Sequence, residues 1–214
     1  MFDRIAGVYD LMNGVMTAGM HHRWRSRAAD LARASAGSRM LDVATGTGDL
    51  AIEMAGRGAE VVGVDFSERM LDLAREKAPH LLFSAEDAHH LSFADGSFDG
   101  ATVGFGARNF GDLRQGLSEM ARVVKPGGRV VVLEITTPSK PPLSTFFSLW
   151  FDRAVPALGK VAGDPDAYTY LPASVKRFPD ARSLAALMHD VGLRDVGWIL
   201  TAGGIIAIHH GTKG

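Results

Sequence analysis

Apolar residues recur along most of this chain at two alternating periods. Between residues 19 and 35, Trp24, Ala28, Leu31 and Ala32 fall at helical spacing, and Gly37 stops the helix they predict. Arg39 to Ala44 is a short apolar run ending at a glycine-containing turn, which predicts a buried strand. Leu50 to Arg57 reads as a helix and Glu60 to Asp65 as the next strand. Ser67 is placed to cap a helix carrying Met70, Leu71 and Ala74 on one face. Strands follow at Leu81–Phe83 and Phe98–Gly104, then a helix from Leu113 to Val124. Lys125 to Gly128 reads as a turn, and Arg129 to Ile135 as a fifth strand. Strands alternating with helices in this way predict an α/β domain with a mainly parallel sheet covered on both faces.

The rhythm breaks after Ile135. Pro138, Pro141 and Pro142 open a long segment, 138–179, that reads as an insertion over the sheet edge. Alternation resumes with a helix from Arg182 to Val191 and strands at Val196–Leu200 and Ile205–His209. Gly203 and Gly204 between these strands predict a closing hairpin.

A length of 214 residues suits one domain, 1–214. The 46% apolar and 22% charged content is that of an ordinary globular chain. A net charge of -1 offers no basic excess for nucleic acid. The absence of cysteine removes disulfides, thiolate metal sites and cysteine nucleophiles, and is compatible with a cytoplasmic location. Met1-Phe2-Asp3-Arg4 is not followed by the apolar core of a signal peptide. The densest apolar cluster, Phe146 to Phe151, falls far short of the roughly 18 residues of a spanning helix.

The strongest local signal is Asp42-Val-Ala-Thr-Gly46-Thr47-Gly48-Asp49, between a strand and a helix. Glycines there let the backbone turn tightly and approach a ligand closely. Asp65 ends the next strand, where a carboxylate can accept from both hydroxyls of a ribose. The loop also fits a relaxed dinucleotide pattern, so a NAD-linked reductase is a rival, as is a tight turn with no ligand. Two features favour S-adenosylmethionine. Asp42 precedes the glycines, where a carboxylate suits an amino group and a sulfonium better than a pyrophosphate. Glu86 and Asp87, before Ala88, follow the third strand, where an acidic side chain can bind the adenine amino group.

Two gapped signatures extend the pattern. The first is Tyr9-Asp10-Leu-Met12-Asn13-Gly-Val-Met16-Thr17 followed by His21 and Trp24; the second is Arg122-Val-Val-Lys125-Pro126-Gly127-Gly128 followed by Glu134 and Thr136. With Gly104-Phe-Gly106-Ala-Arg108-Asn109 between them, the chain resembles the class I methyltransferases over nearly its whole length. It closely resembles the ubiquinone/menaquinone biosynthesis C-methyltransferase family. Thr17 and Thr136 stand where that family usually has serine. The resemblance implies a Rossmann-like fold with a seven-stranded, mostly parallel sheet and a helical insertion after the fifth strand. It makes 1–36 an N-terminal helical lid and 138–179 a substrate-side insertion. The chain begins almost directly at the first signature, so part of the lid is expected to be shorter or missing relative to members with a longer leader. Asp42, Gly46, Thr47, Gly48, Asp65, Asp87, Ala88 and Gly104 are the expected cofactor contacts, the last reduced to backbone where some members use a serine.

The acceptor the resemblance implies is a polyprenylated hydroquinol, with demethylmenaquinol favoured over a ubiquinone precursor because the short form resembles menaquinone-only members. Ionisation of a ring hydroxyl would activate the neighbouring carbon, and the enzyme's task is alignment plus a base. No metal is needed, and the His89-His90 pair reads as a loop feature. Candidate catalytic residues are Tyr9, Asp10, His21, Arg108 and Asn109. Packing is the alternative for Tyr9, a cap or surface position for His21, and an ion pair for Arg108. Arg108 would stabilise an oxyanion rather than act as a base. Phe147, Trp150 and Phe151 in the insertion are expected to hold the isoprenoid tail or make a peripheral membrane contact, with a buried core helix as the alternative.

Overall fold

The computed structural model describes residues 20–138 and 172–214. Tyr9, Asp10, Phe147, Trp150 and Phe151 lie outside them, as do most of the expected lid and insertion. The helices are α1 (His21–Leu31), α2 (Asp49–Ala55), α3 (Glu68–Lys77), α4 (Leu113–Val123) and α5 (Ala181–Asp190). The strands are β1 (Arg39–Val43), β2 (Glu60–Asp65), β3 (Leu82–Ala85), β4 (Phe98–Gly104), β5 (Val124–Ile135), β6 (Leu193–Thr201) and β7 (Ile206–Lys213). They form one seven-stranded sheet in the order β3-β2-β1-β4-β5-β7-β6. Pairing is parallel from β3 through β5, and β7 runs antiparallel between β5 and β6.

Both faces of the sheet are covered, so its central strands read as continuous apolar runs rather than alternating ones. In β5, Val130 and Val132 pack against α4 and α5 residues such as Leu117, Met120, Leu184 and Met188. Val131 and Leu133, on the other face, meet Trp24 and Ala28 of α1 and Ala51 and Met54 of α2. Helix starts are set locally. Ser67, Asp112 and Asp180 each accept the backbone N–H three residues on, capping α3, α4 and α5.

Among the differences from the sequence pattern are two strand starts and one placement. β5 starts at Val124, because Phe98 pairs with Val124 before the ladder resumes at Gly100 and Arg129. The expected turn at Lys125–Gly128 is therefore a bulge inside the strand, with Gly127 at φ +80. β6 starts at Leu193, ahead of an irregularity between Arg194 and Gly197 that hides its alternation. The end of the 138–179 segment does not lie over an edge strand: Val175 packs on Ile135 and Ile205, and β5 is flanked by β4 and β7. That position is the carboxyl end of the sheet's interior, where open α/β sheets bind ligands.

Candidate functional site

The chain leaves β1 through Ala44 at φ +50, and Thr45 N–H then bonds to Val64 O across to β2 (2.9 Å). Gly46 follows at φ +57 and Gly48, the residue before α2, at φ +83. A side chain at Gly48 would meet the Phe83 ring at 3.1 Å, so the turn demands glycine for conformation and space alike. Phe105, leaving β4, has φ +59, and Gly106 fills the contact between the two strand ends: a Cβ there would lie 2.5 Å from Ala44 Cβ. Two non-glycine residues with positive φ at adjacent strand ends is the kind of local strain that clusters at ligand sites.

These strand ends open onto a cleft of about 430 Å³. Of the residues singled out above, Asp42, Gly46, Thr47, Asp65, Asp87, Ala88, Gly104 and Asn109 line it. Gly48 does not, and shapes the turn instead. His21 and Arg108 are also absent from its wall. His21 is buried with its ring 4.1 Å from that of His22. Arg108 Nη1 donates to Glu134 Oε1 (2.7 Å) and Phe105 O (2.5 Å), and Glu134 Oε2 accepts the Arg108 backbone N–H (3.2 Å). This buried ion pair ties the turn after β4 to β5.

The carboxylates of the cleft differ sharply. Asp42 is buried, its Oδ2 accepting from Thr45 Oγ1 (2.6 Å) and its Oδ1 from Thr102 Oγ1 (2.7 Å). Burial pushes its pKa up to about 6, against the pull of those two hydroxyls and of the Arg25 charge. Asp65 Oδ2 accepts Gly46 N–H (2.8 Å) and Oδ1 accepts Ser67 N–H (3.0 Å), so one side chain braces the glycine loop and the start of α3. Asp87 is exposed and takes both donors of His89 on Oδ1. Those bonds hold it below the usual carboxylate range.

Several cleft residues gave no sequence signal of their own. Arg25 is buried and pairs with Asp49 (2.8 Å), and among the described residues its Nη1 has no hydrogen-bond partner. Lys77, which is not on the cleft wall, bonds to the same Asp49 (3.1 Å) and to Thr47 Oγ1 (2.9 Å). The signal that could have found Arg25 is its spacing from Ala28 and Ala29, which puts a charge on the buried face of α1. Phe66 is 68% exposed beside Asp65, with Met70 also on the wall, giving the cleft an apolar surface next to its carboxylate.

The sheet order, the glycine turn, an acidic residue at the end of β2 and another just after β3 define an S-adenosylmethionine-dependent methyltransferase. A crystallised SAM-dependent methyltransferase from Thermotoga maritima has the same fold, with a TM-score of 0.69 at 20% identity, covering 100% of this chain and 98% of that one. The model of the ubiE/COQ5 methyltransferase family matches residues 1–213, and the chain belongs to that family. Among its relatives, the demethylmenaquinone methyltransferase of Thermus thermophilus is 46% identical over 100% of both chains. The enzyme of the same name from Corynebacterium kroppenstedtii is 44% identical over 100% of this chain and 93% of its own.

Proposed function

We propose that this methyltransferase moves the methyl group of S-adenosylmethionine to a ring carbon of demethylmenaquinol, forming menaquinol and releasing S-adenosylhomocysteine and the proton displaced from that carbon. The observation carrying the choice of acceptor is the end-to-end similarity to relatives named for that reaction. Bound in the cleft, S-adenosylmethionine supplies an electrophilic methyl on sulfur. Asp65 would accept from the ribose hydroxyls and Asp87 from the adenine amino group, and Phe66 would offer the purine an apolar surface. Asp42 and Arg25 face the charged amino-acid end, the carboxylate toward the ammonium and the guanidinium toward the carboxylate. Asn109 lies on the same wall and orients the acceptor hydroxyl, whose ionisation makes the neighbouring carbon nucleophilic. Alignment of carbon, methyl and sulfur supplies most of the acceleration. We assign the isoprenoid tail to Phe147, Trp150 and Phe151, and place the enzyme in the cytoplasm with a peripheral bilayer contact through them. Among the described residues no helix is long and apolar enough to cross a membrane.

A methyl-transfer assay with radiolabelled cofactor, run anaerobically, tests the reading. Label is expected in menaquinol when demethylmenaquinone is supplied with dithionite and not when the reductant is withheld, because only the hydroquinol has an ionisable hydroxyl. Equal incorporation in both conditions refutes the mechanism. Preferential labelling of the demethylated ubiquinol precursor reassigns the acceptor.

A further inference from the structure

We propose that His89 is a positioning residue: it fixes the Asp87 carboxylate so that one oxygen meets the cofactor's purine amino group, and so sets the enzyme's preference for adenine over a 6-oxopurine. The proposal rests on the assignment of Asp87 to the purine made above.

An exposed carboxylate ordinarily samples several orientations and offers both oxygens to solvent. Asp87 has a side chain 60% exposed, yet its Oδ1 is held by two donors from one residue. These are the His89 backbone N–H (2.9 Å) and the His89 ring at Nδ1 (2.5 Å). The other ring nitrogen settles the tautomer. Nε2 accepts the backbone N–H of Asp112 (3.1 Å), so the ring proton resides on Nδ1, where it donates to Asp87. Asp112 is itself the cap of α4, so its N–H is fixed in place by that helix.

The ring is held from further sides. Gln115 Nε2 donates to the His89 carbonyl (3.2 Å), and Phe110 meets the imidazole edge-on at 5.9 Å. The main chain is pinned as well, by His90 N–H to Asp87 O (2.9 Å). Asp87 Oδ1 is therefore doubly engaged, and among the described residues Oδ2 makes no hydrogen bond. Asp87 lines the cleft, and Oδ2 is the oxygen it has left for a ligand there. A carboxylate only accepts, so it matches the amino group at C6 of adenine and repels the oxygen at C6 of hypoxanthine.

The two amide side chains separate this role from a merely structural one. An asparagine amide can stand where Nδ1 stands, and a glutamine amide reaches the place of Nε2. The affinities of S-adenosylhomocysteine and S-inosylhomocysteine are measured by calorimetry on the native enzyme, His89→Asn, His89→Gln and Asp87→Asn. His89→Asn should keep near-native affinity and preference. His89→Gln, which of the ring's two bonds keeps only the one to Asp112, should lose roughly tenfold in S-adenosylhomocysteine affinity and most of its preference over the inosyl compound. The reverse ranking, with His89→Gln near native and His89→Asn weakened alike toward both ligands, overturns the proposal and leaves His89 as a tether for α4. Asp87→Asn distinguishes the two possible failures. If it keeps the adenine preference, the assignment of Asp87 to the purine is wrong. If it loses the preference while His89→Gln keeps it, only the role of His89 falls.

Discussion

Binding of S-adenosylhomocysteine should tighten about tenfold between about pH 5 and about pH 7.5, through the ionisation of Asp42. In the free protein, burial raises this carboxyl from 3.8 to about 6. A neutral acid cannot pair with the ligand's ammonium, so binding below that value must first expel a proton. The weakening factor is 1 + 10^(6 − pH), about 11 at pH 5 and about 1 at pH 7.5, if the bound carboxyl titrates below pH 5. Asp87 titrates beneath this window, because His89 lowers it. Calorimetry in two buffers of different ionisation enthalpy should show about half a proton released near pH 6. Asp42→Asn should flatten the profile. The same shift has a thermodynamic sign in the free protein. A raised carboxyl contributes stability that is fully present below 3.8 and lost as pH rises through about 6. Ionised Asp42 therefore costs on the order of 3 kcal/mol at neutral pH relative to its neutral form. Asp42→Asn should accordingly raise the urea midpoint at pH 7.5 and leave it nearly unchanged at about pH 4. A dissociation constant independent of pH, or an Asn variant with the native slope, would refute the reasoning.

Two further substitutions probe the braces of the cleft. Asp65→Ala should cost roughly ten- to a hundredfold in S-adenosylhomocysteine affinity, since it removes the proposed ribose acceptor along with the bonds to Gly46 and Ser67; unchanged calorimetric affinity would take Asp65 out of the site. Glu134→Ala leaves the buried Arg108 guanidinium without its carboxylate and should lower stability by about 3–5 kcal/mol in denaturant unfolding, with a loss under about 1 kcal/mol counting against the pair as a structural tie.

What the sequence disclosed was whatever the local chain dictates. The turn from Asp42 to Asp49 is legible because positive φ demands glycine at Gly46 and Gly48, and Asp65 because it ends an apolar strand. The succession of strands and helices along the chain followed from the alternation of two periods. Thr102 was illegible as a partner of Asp42, because it lies 60 residues away and looks like any β-branched strand residue. Glu134 stood in the second signature, but its pairing with Arg108 depends on β4 and β5 being neighbours, which periodicity does not specify. The early start of β5 was masked by Pro126 and the glycines, which read as punctuation although the ladder continues around them. His89 read as half of a loop pair. Its role emerges only when α4 brings Asp112 N–H against the ring.

The antiparallel β7 has a consequence for how the molecule is made. β6 joins the sheet only through β7, which occupies the slot beside β5. During synthesis residues 206–213 emerge from the ribosome after every other strand. Until they do, β5 carries an open row of backbone donors and acceptors at the sheet's growing margin, and β6 has nothing to pair with. Such an unpaired margin is a template for association with another chain. A nascent chain arrested before Ile206 should therefore bind chaperones and aggregate, although every strand lining the cofactor cleft is already present.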